Sequence, residues 1–210
     1  MVYDHEYALL GGSNRSHVGR WLAIASAAIS AIIVFIVLSL VDLAEAYDLN
    51  VNLPPTALSF AGAGAVYGAL YLLLDRYMWR NGWIGSFLKL PDLSGVWHIA
   101  GTPLENTGAS EHWDGQVTIV QSWDKLRIHI KTKYSSSDSI TAALQHDTAV
   151  GYRLMYHYRN QPNVSARDMA PHHGFAELTF AADLQSATGD YFNGRGRNTF
   201  GTMTLTREVP

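Results

Sequence analysis

Two long apolar segments near the amino terminus dominate the pattern of hydrophobic and polar positions. They cover residues 21–41 and 56–74, and neither contains a charged side chain. A helix of about 20 apolar residues spans the hydrocarbon core of a bilayer. The pattern therefore predicts two transmembrane helices joined by the connector 42–55.

The distribution of basic residues predicts how this hairpin is oriented. Arg15 and Arg20 precede the first segment, whereas Arg76, Arg80 and Lys89 follow the second. The connector contains acidic residues but no Lys or Arg. Because positively charged flanks stay in the cytoplasm, we expect a multi-pass protein with both termini inside.

The first segment also allows a second interpretation, a cleaved signal peptide. The sequence Ala-Glu-Ala at 44–46 resembles a cleavage site. The apolar run before it is longer than that of a usual signal peptide, which favours a retained helix. A hairpin buried in a soluble protein is disfavoured, since the rest of the chain has too little predicted helix to cover it.

Small residues form ridges on both predicted helices. Gly64 and Gly68 give a GxxxG pattern in the second segment, and such ridges let helix backbones approach closely. The ridge either packs the two helices against each other or packs neighbouring protomers, and the sequence leaves both open. Alanines lie beside this pattern and along the first segment, at positions 57, 61, 65 and 69, and at positions 23, 27 and 31.

From Leu93 onward the hydrophobic pattern changes from helical to alternating. Leu126, Ile128 and Ile130, for example, alternate with polar residues. Sequential strands with short links predict an all-β, eight-stranded up-and-down minimal β-barrel after the two helices, with a two-sheet sandwich as the alternative. The predicted strands cover about 93–101, 112–121, 124–134, 137–145, 148–159, 172–182, 186–194 and 198–207.

The predicted domain order is a cytoplasmic tail at 1–20, the transmembrane hairpin at 21–74, a linker at 75–91 and a β-barrel ligand-binding domain at 92–210. The links after the second, fourth and sixth predicted strands have only a few residues, and those after the first and fifth have about ten or more. In an up-and-down barrel these two sets of links lie at opposite ends. The chain enters the first strand from the short-link end. We therefore expect that end to face the membrane and the long-link end to form any mouth.

Three residues predict how the barrel closes. Gly95 and Trp97 open the first predicted strand, and Arg207 ends the last. Antiparallel closure would bring Arg207 over the Trp97 ring, where a cation–π attraction stabilises the floor. The pattern is similar to the Gly-x-Trp and terminal Arg of lipocalins, and we interpret it as structural.

Composition narrows the function classes. The chain has 210 residues, a formal net charge of −3 and no cysteine. The charge gives no indication of binding to polymeric nucleic acid, and the missing cysteines exclude disulfides and thiol chemistry. This composition is compatible with a cytoplasmic domain.

Basic and aromatic residues gather toward the predicted mouth. Guanidinium groups pair with phosphates and aromatic faces stack on bases, so a ligand with two phosphates and two flat bases would use both. A solvated basic rim above core tyrosines, with an Asn-Gly hairpin turn at 193–194, explains the same residues without a ligand. The ligand-binding candidates are Tyr156, Tyr158, Arg159, Tyr191, Arg195, Arg197 and Asn198.

Catalysis finds little support in the sequence. The chain has nine histidines, but the adjacent His172 and His173 would point to opposite faces of a strand. Glu177 and Asp190 are isolated as general bases, and no metal-ligand motif is present. We therefore expect no catalytic residue, no metal and no enzyme activity.

The whole chain resembles a known family, the two-transmembrane, β-strand-rich effectors of bacterial CBASS antiphage systems, which are CD-NTase-associated minimal β-barrel receptors. The resemblance rests on the paired apolar segments, on Leu93, Gly95 and Trp97, and on the endings Gly-Asp-Tyr at 189–191 and Gly-Thr-Met-Thr-Leu-Thr-Arg at 201–207.

The resemblance implies a mechanism. A partner nucleotidyltransferase makes a cyclic dinucleotide, and the cytoplasmic barrel binds it without a cofactor. The effector then forms homo-oligomers and disrupts the bacterial inner membrane, which causes abortive infection. The alternatives are a membrane-anchored, lipocalin-like binder of an apolar small molecule and a structural anchor that docks a protein partner.

Overall fold

The computed structural model describes residues 4–49, 56, 62–104, 112–164, 166, 169–194 and 198–208. The chain divides into two compact units. One contains Met1–Gly12 and Trp79–Pro210, and the other is Ser13–Met78.

The smaller unit contains two described helices. Helix α1, Arg15–Ala46, has 32 residues, and Asn14 caps it by accepting a hydrogen bond from the Ser16 amide. It is long and apolar enough to cross a membrane. Helix α2, Ala63–Arg76, has 14 residues, which is about 21 Å at 1.5 Å per residue and less than the roughly 30 Å of a bilayer core. Residues 57–61 of the second predicted span lie outside the described residues, so one membrane-length helix is confirmed and the second is not.

The buried residues of α1 are two serines, whereas Ala23, Ala27 and Ala31 of its small-residue ridge are exposed. Ser26 and Ser30 are buried, and the Ser26 hydroxyl is satisfied by donating to the Ala23 carbonyl oxygen of its own helix. A Cβ atom added at Gly64 or Gly68 would meet no described atom within 4 Å. These two glycines therefore do not pack α2 against α1, and their packing against neighbouring protomers stays a prediction.

The larger unit is a closed β-barrel. A 3₁₀ turn, Met78–Arg80, and a short helix α3, Gly82–Leu88, precede its main strands. The described strands are β1 His5–Leu10, β2 Gly95–Pro103, β3 Trp113–Gln121, β4 Lys125–Thr132, β5 Ser135–Asp147, β6 Gly151–Pro162, β7 His172–Phe180, β8 Ser186–Gly194 and β9 Phe200–Arg207.

Strands β2 to β9 pair antiparallel in chain order, and β9 returns to pair with β2. This topology confirms the predicted up-and-down barrel and excludes the sandwich. Links 122–124, 148–150 and 181–185 lie at one end of the barrel. The strand ends that are joined by residues 104–112, 133–134, 163–171 and 195–199 lie at the opposite end, and we call this the mouth end.

The count of eight strands is wrong, because β1 is a ninth. Residues 5–10 fall within the predicted cytoplasmic tail, yet they form a strand of the barrel wall. β1 pairs parallel with β5, from Tyr7 opposite Ala142 to Leu10 opposite Gln145, and antiparallel with β4 near His5. It fills the gap that opens where β5 leaves β4 at a bulge.

Tyr7 anchors β1 in the barrel. It is 2% exposed, and it is the one buried residue of this strand. Its hydroxyl donates to the carbonyl oxygens of Ser122 and Trp123, each at 3.2 Å. The tyrosine therefore ties the amino-terminal strand to the β3–β4 link, 115 residues away in sequence.

The barrel floor has the predicted closure. Trp97 is fully buried, it pairs with Arg207 across β2 and β9, and the Arg207 guanidinium carbon lies 5.1 Å from the ring centroid. Arg207 also donates to the Ser94 carbonyl oxygen. Gly95 has φ of +127°, a conformation that disfavours a side chain.

Replacing Tyr7 tests whether β1 is part of the stable barrel. We expect Tyr7→Ala to lower the free energy of unfolding by about 3–5 kcal/mol, as for other buried aromatics, and Tyr7→Phe by about 1 kcal/mol through the lost hydrogen bond. Chemical denaturation of the full chain in detergent measures both. Glu6→Ala, at an exposed position of the same strand, is the control, and equal effects of Tyr7→Ala and Glu6→Ala would contradict this role.

Candidate functional site

A cavity of about 110 Å³ opens at the mouth end inside the barrel. Residues of strands β3 to β9 form its wall, together with the link residues Met169 and Thr199. The lining residues are Trp113, Ile130, Thr132, Ser135, Ser137, Tyr156, Tyr158, Asn160, Met169, His172, Ala176, Tyr191, Asn193, Thr199 and Met203.

Strand alternation places two tyrosines in the cavity. Tyr156 and Tyr158 are buried and point inward on β6, with ring centroids 5.9 Å apart. Burial raises the pKa of Tyr156 far above its ordinary value, and the neighbouring Tyr158 adds to the rise. The Tyr156 phenol is therefore neutral at every physiological pH.

A hydrogen-bonded chain fixes the aromatic side of the cavity. The Tyr158 hydroxyl donates to Asn193 Oδ1 at 2.8 Å, and Asn193 Nδ2 donates to Thr199 Oγ1 at 2.7 Å. Trp113 Nε1 donates to the Tyr191 hydroxyl at 3.1 Å, and the two rings meet edge to face at 5.6 Å. These contacts hold the rings in place before any ligand arrives.

Glycines make room for these rings. A Cβ atom at Gly174 would overlap the ring of Tyr158, and one at Gly101 would overlap the indole of Trp113. A side chain at either position would therefore push an aromatic ring out of its place.

Three polar side chains, one each from β5, β6 and β7, line the cavity next to one another. The Ser137 hydroxyl donates to Asn160 Oδ1 at 3.1 Å, and Asn160 Nδ2 lies 3.3 Å from His172 Nε2. His172 Nδ1 lies 3.0 Å from the Ala170 carbonyl oxygen, which can only accept. In a neutral imidazole Nδ1 would then carry the proton, and Asn160 Nδ2 faces both ring nitrogens, since it also lies 3.5 Å from Nδ1.

The arrangement can hold a flat heterocycle, because aromatic faces lie beside amide, hydroxyl and imidazole groups that can pair with its edge. No Lys, Arg, Asp or Glu is found among the described lining residues. Nor do any three His, Asp or Glu side chains of the described chain approach closely enough to hold a metal ion.

The structure brings together three of the seven predicted ligand-binding residues, Tyr156, Tyr158 and Tyr191. Arg159 is exposed on the outer face of β6, and the exposed Asn198 does not line the cavity. Arg195 and Arg197 lie outside the described residues.

Sequence reasoning missed Trp113, Ser137, Asn160 and His172. Asn160 has the same strand parity as Tyr156 and Tyr158, so alternation alone could have found it. His172 was discussed only as a metal ligand. No local signal marks Ser137, whose place follows from the register of β5 against β6.

Comparison with known proteins connects both units to one family. Residues 88–207 match the family model described as Cap15, cyclic dinucleotide receptor domain, and residues 16–80 match the model described as Cap15, TM helices. The chain is also 46% identical over 204 residues to CD-NTase-associated protein 15 of Yersinia aleksiciae, covering 97% of each. The chain belongs to the Cap15 family. It is therefore a CBASS effector with a membrane region and a cyclic dinucleotide receptor domain, which confirms the resemblance seen in the sequence.

Within this Cap15 family member, the receptor match spans β2 to β9, and the TM match spans α1 and α2. The receptor match therefore contains all residues that line the described cavity. Strand β1 precedes both matched regions, although it completes the wall of the same barrel.

Gly174→Ala tests the close approach that shapes the cavity. We expect it to lower the free energy of unfolding by about 1–3 kcal/mol, because the added methyl group forces Tyr158 to move. Gly194→Ala is the matched control at the same end, since a Cβ there meets no described atom within 4 Å. Denaturation followed by intrinsic fluorescence measures both, and an unchanged Gly174→Ala midpoint would show that Tyr158 is not held as described.

Proposed function

We propose that the mouth end of the barrel binds a cyclic dinucleotide, and that binding makes this effector oligomerise and disrupt the bacterial inner membrane. The messenger comes from a partner nucleotidyltransferase, and membrane damage stops phage release by abortive infection. The observation that carries the proposal is an aromatic and amide-lined cavity inside the domain that matches the cyclic dinucleotide receptor model.

The cavity is too small for a whole cyclic dinucleotide, so we propose that only one base of the ligand enters it. Small-molecule pockets usually have about 300–1,000 Å³, whereas this cavity has about 110 Å³. One base stacks on the tyrosine side of the cavity, and its edge pairs with Asn160 and His172. The sugar–phosphate ring stays at the rim.

The rim supplies the positive charge that the cavity lacks. Arg195 and Arg197 follow β8 in the sequence, and in this proposal they bind the phosphates, because guanidinium groups offer paired donors. Arg159 and Asn198 complete the proposed rim. The barrel acts as a binding domain and not as an enzyme, and it uses no cofactor.

An apolar ligand is the second candidate. It is favoured by one observation, that no charged side chain is found among the described lining residues. Arg195→Ala combined with Arg197→Ala separates the two candidates, because it weakens binding of a phosphate-containing ligand only.

In the membrane, α1 and α2 form a multi-pass anchor that keeps both termini and the barrel in the cytoplasm. Gly64 and Gly68 lie away from α1, which supports their use between neighbouring protomers. Oligomerisation through this ridge gives the effector its membrane-disrupting form.

Ligand binding is tested by thermal unfolding of the full chain in detergent, since β1 belongs to the barrel and residues 92–210 alone would lack it. The probes are cyclic di-AMP, cyclic di-GMP and cyclic GMP–AMP, together with pyrimidine-containing cyclic dinucleotides. At about 100 times its dissociation constant, the bound ligand should add roughly 2.7 kcal/mol. Asn160→Ala should reduce the shift, whereas Gln116→Ala, at an exposed position of β3, should not. The absence of a shift with every probe would refute the proposed function.

The glycine ridge is tested by combining Gly64→Leu with Gly68→Leu. We expect this variant to bind the ligand normally and to lose growth arrest when it is produced together with an active nucleotidyltransferase, because bulky side chains keep helices apart. Leu72→Met, at an exposed position of α2, is the control. Growth arrest by the double variant would exclude the ridge from assembly.

A further inference from the structure

The outer wall of the barrel carries an exposed aromatic groove near the mouth end. Phe192, Phe200 and Leu104 are 56%, 50% and 55% exposed, and they surround a space of about 350 Å³. Phe175 stacks on Phe192 with ring centroids 5.7 Å apart. Contiguous apolar surface of this kind on a soluble domain marks an interaction site.

Two carboxylates border this groove. Glu177 on β7 and Asp190 on β8 lie directly opposite each other in the register, and like charges in such a cross-strand pair are destabilising. Arg153 binds Glu177 at 3.1 Å, and Asp190 is exposed. An occupant that adds a cation beside the aromatic rings would relieve this repulsion.

The same chain carries a matching projection, the two-residue link between β4 and β5. Tyr134 at its tip is 50% exposed, and Lys133 Nζ lies 5.2 Å from the centroid of its ring. Lys131, near the end of β4 that leads into this link, is exposed as well. The link therefore presents an aromatic ring with two positive charges beside it.

The groove and the projection lie on different walls at the same end of the barrel. β6 separates β5 from the groove residues of β7 in one direction around the barrel, and β3 separates β4 from Leu104 at the end of β2 in the other. A barrel can therefore offer its projection to one neighbour while its own groove receives another. Contacts between two different surfaces repeat from copy to copy and do not stop at a dimer.

We infer that the Lys133–Tyr134 projection of one protomer docks in the Phe192 groove of a second copy of this chain. Tyr134 fills the aromatic groove, and the lysines face Glu177 and Asp190. The two surfaces have opposite charge and lie at the same end of the barrel. These two features favour a second copy of the chain as the occupant of the groove. In the proposed function, this contact would be the surface of the receptor domain through which protomers oligomerise. The contact itself does not depend on the proposed function, but its role in signalling does.

Cysteine cross-linking tests this contact. Only the introduced cysteines can react, because the natural chain has no cysteine. Ser136→Cys lies beside the projection, and Thr202→Cys lies opposite Asp190 at the groove. The doubly substituted full chain is treated with a flexible bis-maleimide in membranes, with and without the cyclic dinucleotide panel. A ladder of dimers, trimers and larger products is expected in at least one condition. Ser136→Cys with Thr206→Cys, at an exposed position of β9 near the barrel floor, is the control pair and should give no ladder.

Changes at the contact residues decide whether a ladder comes from the proposed surface. Tyr134→Ala and Asp190→Lys, each in the Ser136→Cys, Thr202→Cys chain, should reduce the ladder about tenfold, as expected for residues central to an interface. Lys133→Glu combined with Asp190→Lys should restore it by exchanging the charges. No ladder, a ladder equal to that of the control pair, or a ladder insensitive to Tyr134→Ala would overturn the inference.

The same variants separate this inference from the proposed function. Ligand binding with no ladder would reject the docking surface and keep the receptor function. A Tyr134-dependent ladder without any ligand-induced thermal shift would keep the docking surface and reject the receptor function.

Discussion

Closure of the sheet is the constraint on which the receptor domain depends. A closed barrel leaves no unpaired strand edge, whereas an open edge would expose a row of backbone donors and acceptors. Here β9 returns to β2 at the Trp97–Arg207 floor, and β1 fills the gap between β4 and β5. Closure holds the inward side chains of seven strands around one cavity.

The site divides two physical tasks between the interior and the rim. The described interior presents neutral rings, an amide, an imidazole and hydroxyl groups, which are inexpensive to bury when they are hydrogen-bonded. A guanidinium group placed there would have to be stripped of water without a partner whenever the ligand is absent. Arginines at a solvated rim avoid that cost, and the proposed arrangement of base inside and phosphates outside follows from it.

Sequence patterns predicted the parts of this structure that follow from strand alternation or from a recognisable motif. Alternation located β2 to β9, and the Gly95, Trp97 and Arg207 pattern gave the floor. Strand β1 was missed because only Tyr7 is buried among its six residues and its partners are far away in sequence. The direction of the Gly64 ridge could not be predicted either, because small residues fit both a helix partner and a neighbouring protomer. Ser137 needed the register of β5 against β6, whereas alternation along β6 alone could have located Asn160.

Strand β1 also fixes the order in which the receptor is completed during synthesis. It is made before its partners Leu126 and Ala142, which follow more than a hundred residues later. Domains generally fold from the amino terminus as the chain grows, and contacts so distant in sequence form slowly. The first strand is therefore without its partners while most of the chain is being made. Because β9 closes the sheet on β2 and carries Met203 of the cavity wall, the barrel is complete only when the last strand has been made.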